Sequence, residues 1–366
     1  MSKMPRPGNK NCCRCIPAIM ADLARKHPPK LEIGQAPADE PLVYVDVAAL
    51  TVRRRRAGKH WHYLDEQGRR ITDPVEIDRL NRIALPPAYS DARFCSDPLG
   101  HLQAIGIDSR GRRQYRYHTA FREERDSRKF ANCAAFGGAL PALRSRLDRD
   151  LQGEPRSRRA VLAAVVRILD CAYLRIGNQA YARANKSFGL TTLRNRHARL
   201  TRGGLALEYR GKSGIMRKVR LTDSKVIRIV RRCQDLPGQQ LFQFQDDQGV
   251  VHAVSSADVN AYLREISGSD FTAKDFRTWH GSVIAFAALN RGADLKEMLA
   301  EVSEALANTP AVARRAYIHP LLVTAAQAHA FIPRALPRPG RLSRAERGFL
   351  QWLDEQAKEP LPPTAG

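Results

Sequence analysis

Several features are scarce or missing in this chain of 366 residues, and each absence argues against a class of protein. No run of about eighteen apolar residues occurs, so the sequence predicts no transmembrane helix. The N-terminus MSKMPRPGNKNCCRC has no apolar core of the kind a secretory signal needs. The seven cysteines show no paired spacing typical of a disulfide framework. We therefore expect a cytoplasmic protein.

Acidic residues are also few relative to basic ones. The chain has 37 Asp and Glu against 61 Lys and Arg, a formal net charge of +24. The excess is densest between Arg194 and Arg232, where the local net charge is +11, and further basic segments lie at Arg53–Arg56 and Arg110–Lys129. Such an excess predicts a polyanionic partner, of which nucleic acid is the commonest.

The usual signatures of metal and nucleotide chemistry are missing as well. The sequence contains no HExxH, no P-loop, no GxSxG and no carboxylate cluster suited to two metal ions. The CCRC triplet near the N-terminus has no second ligand cluster at zinc-site spacing. We therefore expect no metal and no nucleotide cofactor, and a phosphate transition state stabilised by Arg and Lys instead.

Hydrophobic periodicity predicts an α+β protein with four segments. Residues 1–40 are predicted to be a flexible basic arm with one short helix near Ile19–Lys26. Residues 41–122 are predicted to form a small β-rich domain, and residues 123–335 a mostly helical domain with one embedded hairpin. Residues 336–366 are predicted to hold a C-terminal amphipathic helix and a loose tail.

Within the β-rich segment, LVYVDV alternates like a strand, and the stretch from Lys59 through HWHYL to DEQGRR resembles a hairpin. HLQAIGID and RGRRQYRYH predict another pair of strands. A short helix is predicted over Pro74–Ile83.

Three elements of the helical segment place residues of interest. A continuous amphipathic helix is predicted through SRRAVLAAVVRILDCAYLRIGNQAYARAN, with apolar residues at helical spacing (Val161, Leu162, Val165, Val166, Leu169, Tyr173 and Ile176). LALEYRGKSGIMRKVRL predicts a hairpin with Lys212 at its tip. Thr309-Pro310 predicts the start of a helix that carries Tyr317 about two and a half turns along.

Four segments, in this order, carry a family resemblance: RGRRQYRYH, LRIGNQAYARANKSFGLTTLRNRH, KDFRTWHGSV and NTPAVARRAYIHP. Together they resemble the bacterial, poxvirus-like type IB DNA topoisomerases over residues 41–335. The resemblance implies a β domain and a helical catalytic domain that clamp duplex DNA as a monomer, without ATP or metal. It also implies a nucleoid-associated enzyme that cuts one strand through a 3′-phosphotyrosyl link.

The resemblance also implies the catalytic residues: Tyr317 as nucleophile, Lys212 as general acid, and Arg175, Arg277 and Asn308 on the phosphate. This set is chemically coherent. A free tyrosine has a pKa near 10, and two guanidinium groups favour its phenolate while neutralising charge on the phosphate oxygens. A lysine on a hairpin tip suits protonation of the leaving 5′ oxygen.

Contacts to DNA are implied for six further residues. Gln114, Tyr115 and Tyr117 alternate along a strand, and the two tyrosines share one face. Gln114 can pair with an adenine edge in the major groove. The others are Tyr181, Lys274 and Arg314.

Two other functions compete with this interpretation. A tyrosine recombinase or integrase uses the same kind of Arg-Lys-Arg-Tyr chemistry but usually carries an HxxR motif, where this chain has Lys274 before Arg277. A non-catalytic DNA-binding relative would lack at least one catalytic residue, and none is missing from the sequence.

Overall fold

The computed structural model describes residues 41–58 and 60–358, which divide into two units. The first unit ends at Arg122 and the second begins at Glu123. In the described residues, no helix is long and apolar enough to cross a membrane. The α+β class is confirmed: a sheet dominates the first unit, and helices dominate the second.

The first unit contains a five-stranded antiparallel sheet in the order β2-β1-β3-β4-β5. Its strands are β1 (Val52–Ala57), β2 (His60–Leu64), β3 (Ser90–Phe94), β4 (Leu102–Ile107) and β5 (Arg113–Tyr117). Helix α1 (Pro74–Arg82) starts where Asp73 accepts a hydrogen bond from the Val75 amide at 3.0 Å, with Pro74 in the first turn. Leu80 of α1 is buried in one core cluster with Tyr63 and Phe94. The predicted helix and the predicted strand pair of this region are confirmed.

Two predictions for the first unit need correction. LVYVDV does not form a strand, because Val43 makes only an isolated bridge to Gly100 and the chain then enters a short 3-10 turn at Val47–Ala49. HWHYL is a strand whose main pairing is with the basic strand β1, and across the DEQGRR turn it makes only a short antiparallel bridge between Leu64 and Arg70. Alternating apolar and polar residues indicate extended backbone in both stretches, but the pattern does not say which strand each one pairs with.

Eleven helices lie in the described residues, and all but α1 belong wholly or mostly to the second unit. The ten α-helices after α1 are α2 (Thr119–Asp150), α3 (Arg158–Ala172), α4 (Gln179–Asn185), α5 (Ser224–Gln234), α6 (Ser256–Ser267), α7 (Ala273–Asn290), α8 (Leu295–Leu306), α9 (Pro310–Ala316), α10 (Pro320–Gln327) and α11 (Arg344–Lys358). Helix α7 is the central one: most of its residues are buried, and it contacts α3, α6, α8, α10 and α11.

The second unit also holds a three-stranded antiparallel sheet in the order β6-β7-β8. Its strands are β6 (Ala198–Thr201), β7 (Gly204–Arg210) and β8 (Met216–Leu221), and a two-stranded ribbon follows with β9 (Gln243–Gln245) and β10 (Val251–Ala253). The predicted hairpin is confirmed as β7 and β8. The third strand, β6, was not predicted from the sequence.

Two helices predicted to be continuous are interrupted. Helix α3 ends at Ala172, because Tyr173 adopts a left-handed conformation with φ 56°, so Tyr173 and Ile176 lie outside the helix. Helix α9 ends at Ala316, and Tyr317 follows it directly. Pro320 contributes to this second break, because a proline disfavours helical geometry in the residue before it. The helix predicted near Ile19–Lys26 lies outside the described residues, as do Cys12, Cys13 and Cys15.

Candidate active site

Arg277 lies in the first turns of α7 with only 3% of its surface exposed. Its guanidinium donates hydrogen bonds to two backbone carbonyls, that of Tyr173 and, at 2.9 Å, that of Leu306. Its Nε is buried and has no partner among the described residues. Burial lowers the pKa of Arg277 to about 10, which leaves the group charged at neutral pH. The result is a buried, charged guanidinium whose Nε–H is unused.

Tyr317 lies on the short irregular segment between α9 and α10, against Arg277. The guanidinium carbon of Arg277 is 4.7 Å from the centroid of the Tyr317 ring. Burial by itself raises the pKa of this phenol, but nearby positive charges outweigh burial and bring the pKa below 10. Those charges belong to Arg277, Arg175 and Lys212. The surroundings therefore favour the phenolate.

Helix α7 also holds the backbone of Tyr317. The hydroxyl of Ser282, which is fully buried, lies 3.2 Å from the Tyr317 carbonyl and accepts a hydrogen bond from the His319 amide at 2.9 Å. Gly281 packs directly beneath, since a Cβ at this position would lie 2.7 Å from the Tyr317 carbonyl oxygen. Only glycine allows this approach without displacing the tyrosine.

Arg175 and Asn308 meet in the same region. Arg175 lies in the loop between α3 and α4, not at the end of a helix, and its guanidinium donates to the Asn308 side-chain oxygen. Asn308 lies between α8 and α9, just before the Thr309 cap of α9. The Asn308 amide nitrogen is buried without a partner among the described residues. Two unused donors, this nitrogen and Arg277 Nε, are therefore available to an anion.

Lys212 occupies the turn between β7 and β8 and is exposed. The next residue, Ser213, has φ 61°, so the turn is tight. Its ammonium is close enough to Tyr317 to help lower the tyrosine pKa. The five predicted catalytic residues thus come from five separate parts of the second unit, and three of them, Arg277, Arg175 and Lys212, lower the pKa of Tyr317.

Sequence reasoning missed Arg217 and Tyr209, which face each other across β7 and β8. Burial raises the pKa of Tyr209, and the charges of Arg217, Arg175 and Arg277 oppose that rise. Arg217 therefore adds a cation close to Arg277. A signal was present: Arg217, Val219 and Leu221 share the inward face of a strand, where a cation is unusual.

The remaining residues predicted to contact DNA in the second unit lie on separate elements. Tyr181 is on α4 and half-buried, Lys274 is exposed in the first turn of α7, and Arg314 is exposed on α9. Arg314 does not share a helix with Tyr317, as the sequence suggested, because α9 ends before the tyrosine.

The predicted trio in the first unit lies on β5. Tyr115 and Tyr117 share one face of the strand, with their rings stacked at 6.2 Å between centroids. The side-chain nitrogen of Gln114 donates to Asp108 at 2.9 Å. One amide hydrogen of Gln114 is thus engaged, and the roles of all three residues on DNA stay predictions.

Comparison with known proteins adds to this geometry. The family model described as "Eukaryotic DNA topoisomerase I, catalytic core" matches residues 118–316, and that of "Bacterial DNA topoisomerase IB, N-terminal domain" matches residues 60–108. The chain is 30% identical over 241 residues to the DNA topoisomerase 1B of Acanthamoeba polyphaga mimivirus, covering 65% of this chain and 71% of the viral protein. It is 20% identical over 271 residues to the DNA topoisomerase 1B of Vaccinia virus (strain Copenhagen), covering 69% and 86%.

Among solved structures, the chain is similar to the XerH site-specific recombinase bound to a palindromic difH substrate in a post-cleavage complex. The TM-score is 0.34 at 17% identity, covering 48% of this chain and 47% of that one. A likeness this low carries no argument for the recombinase alternative.

Proposed function

Because the chain belongs to the type IB DNA topoisomerase family, whose catalytic-core model matches more than half of it, we propose that Tyr317 is the nucleophile with which it cuts and reseals duplex DNA. The observation that carries this proposal is the contact between the Tyr317 ring and the buried Arg277, which also lowers the pKa of the phenol. The match of residues 60–108 to the bacterial N-terminal domain places the chain with the bacterial members.

In the cleavage step, the Tyr317 phenol releases its proton to solvent and its oxygen attacks a backbone phosphorus, while the bond from phosphorus to the 5′ oxygen breaks. The products are a 3′-phosphotyrosyl link and a free 5′ hydroxyl. Arg277 and Arg175 neutralise charge on the nonbridging oxygens, and the unused Asn308 nitrogen donates to one of them. Arg217 adds positive charge from β8. Lys212 supplies the proton that the leaving oxygen takes up.

Resealing is the same step in reverse, with the 5′ hydroxyl as nucleophile and Tyr317 as leaving group. One phosphodiester is exchanged for another, so the bond energy is retained and no nucleotide need be hydrolysed. The cations that stabilise the transition state are supplied by side chains, so the proposed mechanism requires no metal ion.

DNA is the partner of this enzyme, and we propose that one copy of the chain acts alone on the duplex within the bacterial nucleoid. The densest positive charge, between Arg194 and Arg232, binds backbone phosphates without reading sequence. Gln114, Tyr115 and Tyr117 of the first unit contact base edges or backbone in the major groove. Tyr181, Lys274 and Arg314 contact the strand near the cut site. Lys274 and Arg314 are exposed, and Tyr181 is half-buried.

The direct test is relaxation of a supercoiled plasmid by the purified protein in EDTA with no added nucleotide. We expect complete relaxation and, after denaturation with detergent, protein linked to the 3′ end of the cut strand. Failure to relax the plasmid, or linkage to the 5′ end, contradicts the proposal.

Lys212→Ala tests the general acid. We expect it to slow cleavage by about 10²–10⁴-fold on ordinary DNA, because an alkoxide then leaves without a proton. On DNA whose scissile 5′ bridging oxygen is replaced by sulfur, the loss should disappear, since a thiol of pKa about 8.5 leaves as the thiolate. The measurement is single-turnover cleavage of both substrates.

Lys218→Ala is the matched control for this experiment, since Lys218 lies on the same hairpin and pairs with Glu208 at 3.2 Å. At saturating protein, where a weaker phosphate contact does not limit the rate, it should cleave both substrates as wild type does. An equal loss for Lys212→Ala on oxygen and sulfur substrates would show that Lys212 does not protonate the leaving group.

A further inference from the structure

A buried ionic network lies beneath the active site and joins four helices of the second unit. Asp170, near the end of α3, accepts hydrogen bonds from Arg144 of α2 at 2.8 and 2.9 Å and lies 2.9 Å from the His280 Nε2 of α7. Arg144 also donates to Glu346 of α11 at 2.7 and 3.0 Å. None of the four side chains is more than 15% exposed. Nothing in the proposed chemistry uses these residues directly.

The network reaches the active site through Tyr173. The His280 ring packs on the Tyr173 ring, with 4.6 Å between centroids. Tyr173 has φ 56° and ψ 28°, a left-handed conformation that residues other than glycine and asparagine rarely adopt. In this conformation its carbonyl accepts a hydrogen bond from Arg277. The peptide that orients Arg277 is thus one whose conformation needs support from its surroundings.

On its other side, Arg277 contacts the Tyr317 ring and one backbone carbonyl. Its second hydrogen bond within the described residues goes to the Leu306 carbonyl at 2.9 Å, and no carboxylate pairs with it there. A rotation of the Tyr173 peptide would therefore move the guanidinium relative to the phosphate. The side chain that restrains Tyr173 from beneath is His280, and the Asp170 carboxylate restrains His280.

We propose that His280 and Asp170 are positioning residues for Arg277: their buried pair holds Tyr173 in its left-handed conformation and so aims the catalytic guanidinium. Arg144 and Glu346 hold Asp170 in turn, which ties the C-terminal helix α11 to the same function. This inference rests on the proposed role of Arg277 in the cleavage step. His280, the histidine of RTWH, thereby has a structural role, although it takes no part in the proposed cleavage chemistry.

The first test is His280→Ala, measured as single-turnover cleavage of a defined duplex at saturating protein. We expect the rate to fall by about 10–100-fold, because a misplacement near 1 Å at a reacting group has an effect of this size. The affinity for duplex DNA should stay unchanged, since His280 is buried away from solvent. His252→Ala is the matched control: His252 also pairs with an aspartate, Asp246 at 2.7 Å, but on the exposed β9–β10 ribbon. It should cleave at the wild-type rate.

A double-mutant cycle separates positioning from general destabilisation. If His280 acts through Arg277, adding His280→Ala to Arg277→Ala should change the cleavage rate by less than about 2-fold, the limit of ordinary additivity. If His280 only stabilises the fold, it should slow both backgrounds equally, and the inference is overturned. Should His280→Ala fail to fold by circular dichroism, Asp170→Asn takes its place in the cycle, because it keeps the shape of the side chain.

The cycle also separates the positioning role of His280 from the role of Arg277 in cleavage, on which it depends. If Arg277→Ala alone cleaves as fast as wild type, the role proposed for Arg277 is wrong. If Arg277→Ala is slow but His280→Ala is additive with it, only the positioning proposal is wrong.

Discussion

Tyr317→Phe is expected to abolish plasmid relaxation and covalent capture of DNA, a loss of about 10⁴-fold or more, because it removes the only atom that attacks phosphorus. The change should leave the fold intact. The phenylalanine ring keeps the contact that Tyr317 makes with Arg277, whose guanidinium carbon lies 4.7 Å from the ring centroid. Duplex binding, measured by electrophoretic mobility shift, should therefore equal that of wild type.

The control removes a tyrosine hydroxyl at a position outside the candidate active site. Tyr89→Phe alters a partly buried tyrosine packed in the core of the first unit, and it should relax plasmid at the wild-type rate. If Tyr317→Phe still relaxes DNA, or if a covalent adduct persists at another residue, Tyr317 is not the nucleophile.

Arg277→Lys is expected to slow cleavage about as strongly as Arg277→Ala, by about 10²–10³-fold, although the charge is conserved. Arg277 donates hydrogen bonds to the carbonyls of Tyr173 and Leu306, and its Nε has no partner among the described residues. A lysine ammonium is a point donor on a flexible stem and cannot hold both carbonyls and a phosphate oxygen in one plane. Resealing should slow by the same factor as cleavage, because both directions share one transition state.

These rates are measured as single-turnover cleavage and as resealing of the trapped covalent complex. Arg291→Lys is the matched control, since Arg291 ends the same helix and makes an exposed ion pair with Glu301 at 2.7 Å. It should leave both rates unchanged. A wild-type rate for Arg277→Lys would show that charge alone suffices at this position and that the planar fork is not used.

Local sequence patterns predicted the elements of this fold better than their ends. The hairpin of β7 and β8, the cap at Thr309 and the helix Pro74–Arg82 follow from alternation, capping chemistry and periodicity, which act over a few residues. The breaks at Tyr173 and Tyr317 do not. Both residues continue a helical apolar pattern, but their conformations are tied to contacts with α7. Tyr317 contacts Ser282, 35 positions away, and Tyr173 contacts Arg277, 104 positions away.

The candidate site shows the same division. Motif resemblance named Arg175, Lys212, Arg277, Asn308 and Tyr317, and their convergence in the second unit agrees with that choice, although their roles stay predictions. Arg217 was missed because it was counted with the basic surface, whereas strand alternation turns it inward. His280 received no predicted role from the sequence, because its partner Asp170 lies 110 positions earlier in the chain. Pairings across such separations are set by tertiary packing, which no local pattern encodes.

The contacts between the Tyr317 backbone and helix α7 have a mechanical consequence. In the proposed mechanism, the torque of the rotating cut duplex reaches the protein through the phosphotyrosyl bond and then through the backbone of residue 317. That backbone rests on Gly281 and Ser282, in the same rigid helix that carries Arg277 four residues earlier. A pull on the tethered strand therefore acts on nucleophile and guanidinium together, so they are displaced as one body. We therefore expect the broken end to stay aligned with Arg277 until it is resealed.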